Sequence, residues 1–104
     1  MQVNVTTRHC EIDEALEERA RAVAERIGSV ALRPIECTVL FDADGQVQVA
    51  ELRLRDARGE SYIGRGEAEN HRTALDRAED KLRRQLQSAS GRARHARREE
   101  AAEG

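Results

Sequence analysis

The sequence predicts an α+β domain of two layers: a four-stranded sheet with two helices on one face, in the order β-α-β-β-β-α. Three observations predict it. Apolar residues alternate with a period of two in the strand stretches. They recur every three or four residues in two longer stretches, and turn residues stand between these segments. The size agrees, since 104 residues make one domain. With 38% hydrophobic and only 2% aromatic residues, its core must be built from Val, Ile, Leu and Ala.

Met1, Val3 and Val5 alternate with Gln2, Asn4 and Thr6, which gives a half-buried first strand and then a loop over Thr7–Glu11. Asp13 is placed to cap the first helix, with Glu14, Glu17 and Glu18 in its opening turns, where the helix dipole favours acids. Leu16, Ala20, Val23 and Ile27 form its buried stripe. Gly28 is expected to end it in the left-handed conformation.

Pro34 cannot continue a helix, and beyond it Ile35, Cys37, Val39 and Phe41 alternate as a second strand. A turn is expected at Asp42-Ala43-Asp44-Gly45. Ala50, Leu52 and Leu54 define a third strand, with a bulge or late start near Val49 because Val47 and Val49 are out of phase. Asp56-Ala57-Arg58-Gly59 turns into a fourth strand, Ser61–Gly66, whose glycines mark an edge or a bend. Asn70 can cap the second helix, striped by Leu75, Ala78, Leu82 and Leu86 and expected to end at Ser88-Ala89-Ser90-Gly91. The domain is therefore set at residues 1–88. Residues 89–104, without Val, Ile, Leu or Phe beyond Gly91, are expected to be a flexible charged tail. The first helix suits a right-handed crossover between parallel strands, and the later short turns imply antiparallel ones.

Several classes are excluded or disfavoured. No apolar run approaches the roughly 20 residues that span a bilayer. The N-terminus lacks a basic segment followed by an apolar one, which predicts the cytosol. Two cysteines, Cys10 and Cys37, are too few for a disulfide framework and are expected to be free. His9, His71 and His95 lie in three different segments, and no zinc, nucleophile-elbow or phosphate-loop motif occurs. His9-Cys10 with Cys37 has no metal-binding spacing to support it. The sequence thus predicts no catalytic residues, no metal and no cofactor.

Charge is unevenly spread. The net charge of −2 hides −5 over residues 1–70, +6 over 71–98 and −3 over 99–104. With Leu75 at zero and about 100° per residue, Arg77, Lys81 and Arg84 fall at roughly 180–240°, opposite the stripe, and Arg72 and Arg83 flank them. A solvated helix face with ion pairs such as Asp80–Arg84 is the ordinary reading. The local excess of arginine, which makes planar bidentate contacts with phosphate, favours nucleic acid instead. The shortage of aromatics disfavours base stacking, so recognition would be of backbone and shape.

Met1-Gln2-Val3-Asn4-Val5-Thr6 and Glu11-Ile12-Asp13-Glu14-Ala15-Leu16 resemble the opening of the ribosome hibernation-promoting factor family, also called ribosome-associated inhibitors or sigma-54 modulation proteins. Ala74-Leu75-Asp76 with Asp80-Lys81-Leu82-Arg83-Arg84-Gln85-Leu86 resembles its A-I-D…D-K-L-x-R-Q-L pattern. The resemblance covers about residues 1–88. It implies the same fold and a stress-response protein that binds the small ribosomal subunit through 16S ribosomal RNA, blocks the messenger and transfer RNA channel, and silences translation. It carries basic positions over to Arg26, Lys81 and Arg84; Arg72, Arg77 and Arg83 are added from helix geometry. Where the family often has lysines, this chain has Ser88 and Ser90, and D-M-Y is replaced by Asn70-His71-Arg72. Ending at Gly104, it is expected to be the short form without a C-terminal dimerisation domain. A non-catalytic protein-interaction module on the same fold is the competing class, favoured by the acidic first helix.

Overall fold

In the computed structural model, the backbone is described over residues 1–103 and the side chains over residues 1–89. The order is β1 (Gln2–Arg8), α1 (Glu14–Gly28), β2 (Pro34–Asp44), β3 (Val47–Asp56), β4 (Ser61–Ala68) and α2 (His71–Glu103). The strands lie side by side as β1-β2-β3-β4. β1 and β2 are parallel; β2–β3 and β3–β4 are antiparallel. This is the predicted α+β architecture.

The core lies between sheet and helices. Ala20, Val23, Ala24 and Ile27 come from α1 and Ala74, Leu75, Ala78, Leu82 and Leu86 from α2. They meet Cys37, Val39 and Phe41 of β2 and Ala50, Leu52 and Leu54 of β3. Most of each stripe named from the sequence is here; Val3, Val5 and Leu16 are only partly buried at the core's margin, and Met1 and Ile35 are exposed. The two N-terminal caps hold as well. The Asp13 carboxylate accepts from the Leu16 N–H at 2.8 Å, and the Asn70 side chain accepts from the Thr73 N–H at 2.8 Å.

β1 runs on to Arg8, into the expected loop, and β4 runs past Gly66 to Ala68. Beyond these strand ends, local geometry departs from expectation in five places. Gly28 is a helical residue, not a left-handed cap; it leaves room for Met1, whose Sδ would lie 2.9 Å from an added Cβ. The bulge lies at Pro34/Glu36 rather than near Val49. Ile35 is the extra residue there, which puts it out of phase and leaves it 41% exposed. β3 is in register from Val47, with Val49 buried on the sheet face away from the helices. The first hairpin turns at Gly45-Gln46, because β2 continues to Asp44 and the positive φ of 62° falls on Gly45.

The fifth departure is the length of α2. The expected stop at Ser88–Gly91 does not occur, and the helix continues to Glu103. Gly91 costs a helix about 1 kcal/mol relative to Ala, and the Ala, Arg and Glu residues that follow are good helix formers. The flexibility expected of the 89–104 tail lies, apart from helical backbone and Ala89, outside the described residues.

Candidate nucleic-acid interface

Two glycines set where α2 lies. Gly64 and Gly66 face it from β4, and an added Cβ would meet the Ala78 and Ala74 carbonyl oxygens; the Leu82 nitrogen would be 2.8 Å from the first and the Ala78 nitrogen 2.7 Å from the second. Without side chains there, the helix backbone rests directly on the strand. Gln85 then reaches the outer edge of β4. Its Oε1 accepts from the Ile63 N–H at 3.2 Å and its Nε2 donates to the Ile63 carbonyl. Arg77 donates to the Glu67 carbonyl on the same edge at 2.6 Å.

The six basic positions expected to bind RNA do not form one surface. Ala74, missed in the sequence, is fully buried, which moves the centre of the buried arc to roughly 320° and the outward direction to roughly 140°. Asp80 therefore points straight out and Arg84 lies roughly 40° from it toward β4, the two paired at 2.7 Å with both side chains well exposed. Arg77 and Lys81 lie on the flank toward β4. Arg83 lies on the opposite flank, toward α1, where it meets Glu79 at 3.3 Å. Arg26 reaches the same carboxylate from α1, with Nε and Nη2 donating at 2.7 and 2.9 Å. Nearby, Arg19 pairs with Asp76 at 2.8 Å.

Arg72 opens α2 beside a shallow cleft of about 580 Å³, also lined by Glu11, Asp13, Leu16, Arg19 and His71. Arg72 and Lys81 are exposed and form no ion pair among the described residues. Among the described residues Arg77 forms no ion pair; it donates to the Glu67 backbone carbonyl, at a cleft it shares with Glu67 and Glu69. The hydrogen bond from Arg26, with its charge close by, holds the Glu79 carboxyl below its ordinary value, and Glu79 in turn raises Arg26.

At the far end of the sheet, the Asp42 carboxylate gathers His9 at 3.1 Å, Arg8 at 3.0 Å and the Ala43 N–H at 2.8 Å, led by His9 in holding its pKa down to about 2. His71 packs edge-on to Phe41 and bonds the Asp42 backbone carbonyl. The cysteines are free thiols as expected, and burial pushes Cys37 up to about 11. No described helix is long and apolar enough to cross a membrane.

Residues 3–94 match the model of the sigma 54 modulation protein / S30EA ribosomal protein family. The chain belongs to this family. No curated protein matches it. Among solved structures it is similar to a ribosomal subunit interface protein from Coxiella burnetii, with a TM-score of 0.71 at 16% identity over 88% of this chain and 99% of that one. It is also similar to the N-terminal domain of Thermus thermophilus Protein Y, with a TM-score of 0.69 at 23% identity over 83% and 96% of the two chains. At these identities the likeness is one of fold. The family match supports a ribosome-associated protein and extends past Leu86 to residue 94.

Proposed function

We propose that this chain is a non-catalytic hibernation factor of the cytosol. It binds the small ribosomal subunit through 16S ribosomal RNA, occupies the messenger and transfer RNA channel, and silences translation under stress. Family membership supports the ribosome as partner. The observation that carries the mode of binding is α2: residues 71–98 have a net charge of +6, and Arg77 and Lys81 lie exposed on its β4 flank without an ion-pair partner among the described residues. Such a surface suits phosphate backbone, and the chain has few rings for stacking bases.

Co-sedimentation of the purified protein with small subunits tests this directly. Binding at low salt that weakens at moderate salt is expected. No sedimentation at low salt overturns the reading. A protein-interaction module remains the second reading because Glu14, Glu18 and Glu25 form no ion pair on α1 among the described residues. Sedimentation insensitive to salt and to ribonuclease would favour it.

A further inference from the structure

Among the described residues, Glu79 is the carboxylate placed to answer two of the cations assigned to RNA. It sits at the seam between the helices, its side chain only 12% exposed, with Arg26 of α1 on one side and Arg83 of its own helix on the other. Arg26 gives it a two-bond fork through Nε and Nη2. That is the kind of guanidinium edge a phosphate would use. Two guanidinium groups and one carboxylate leave a single net charge at the seam. Asp76 does the same to Arg19 one turn earlier.

We infer that Glu79 is the positioning residue that divides the basic side chains of the two helices. It ties Arg26 and Arg83 into a staple between α1 and α2, and it leaves Arg77 and Lys81, on the β4 flank, to meet phosphate. The lowered carboxyl of Glu79 and the raised guanidinium of Arg26 agree with this geometry. On the other flank, no described carboxylate competes in the same way. Arg77 is oriented by a carbonyl, which fixes the side chain without neutralising it. The inference rests on the RNA-binding reading above, but it makes a different claim: two of the six expected RNA-binding residues are structural.

The test is binding of the full chain to purified small subunits across a salt series, with melting temperature measured on each variant. Lys81→Ala and Arg77→Ala are expected to weaken binding and to flatten the salt slope by roughly 0.7–0.9 for each phosphate no longer neutralised. Arg26→Ala and Arg83→Ala are expected to lower the melting temperature while leaving the slope unchanged. Glu79→Gln, which keeps the shape and frees both arginines, is expected to tighten binding several-fold and steepen the slope. Glu18→Gln, an equal change in net charge on the outer face of α1, is expected to do neither.

The inference is overturned if Arg26→Ala or Arg83→Ala flattens the slope as much as Lys81→Ala does, or if folded Glu79→Gln leaves affinity and slope unchanged. Should Glu79→Gln not fold, the two alanine variants decide the matter alone. Failure of the unaltered chain to bind at low salt would remove the RNA-binding reading and this inference together; an effect of Arg26→Ala on the slope with binding intact removes only the inference.

Discussion

Single residues in this molecule are constrained mostly by how closely something else approaches them. Gly64 and Gly66 have ordinary strand backbone, and their value lies in lacking a Cβ under α2. The atoms in the way belong to helix backbone, which cannot turn aside as a side chain could. Gly66→Ala should therefore lift α2 from β4 and cost about 1–3 kcal/mol, the usual range for overpacking. Urea unfolding would measure it; a loss below a few tenths of a kcal/mol would show that the helix shifts freely. The sequence marked these glycines as an edge or bend. β4 is indeed an edge strand, but the close helix could not be read from a period-two pattern.

Carboxylates constrain stability in acid. Asp42, Asp56 and Glu79 all sit below their ordinary values in the folded chain. Burial opposes ionisation of Asp56, but Arg58 and the turn N–H groups of Arg58 and Glu60 more than offset it. A group with a lower folded pKa stabilises fully above its unfolded value and loses that contribution as pH falls through its folded one. Melting temperature should thus hold steady from neutral pH down to about 5 and fall steadily toward pH 2. Asp42→Asn should flatten the most acidic part of that curve, where Asp42 titrates at about 2.

At the scale of elements, α2 both closes the core and covers an edge. Gln85 satisfies the N–H and the carbonyl of Ile63, as a neighbouring strand would, and Arg77 takes the Glu67 carbonyl. An uncovered strand edge is a template for pairing with another chain, and Ile63, 45% exposed, would add an apolar contact. Gln85→Ala should cost about 1 kcal/mol. It should also speed amide exchange at Ile63 and promote self-association, read by analytical ultracentrifugation. A monomer with unchanged exchange at Ile63 would show that Gln85 guards nothing. Gln85 belongs to the R-Q-L stretch of the family pattern, yet sequence reasoning gave it no task, because its partner lies 22 residues away on another element.

For the whole molecule, charge placement matters more than total charge. The helical layer is acidic on the outside of α1 and basic along α2, so a polyanion should meet the α2 side and avoid α1. Affinity for small subunits should fall steeply with salt, and Arg77→Ala with Lys81→Ala combined should lower the log–log slope by up to roughly 1.8. A slope unchanged in the double variant would place the RNA-binding surface elsewhere on the molecule.

The sequence by itself determined the element order, both N-terminal helix caps, most of the buried stripes and the segment that carries positive charge. These follow from periodicity and residue chemistry within a few neighbouring positions. Tertiary structure alone decided the bulge at Pro34, the seat of α2 on Gly64 and Gly66, and the company each cation keeps. Arg26 and Glu79 are 53 residues apart, and their pairing depends on how two helices lie across one sheet. A charge count over a segment cannot show that Arg26 is already answered, because its carboxylate comes from a different part of the chain, whereas the Asp80–Arg84 pair within one helix was legible from spacing.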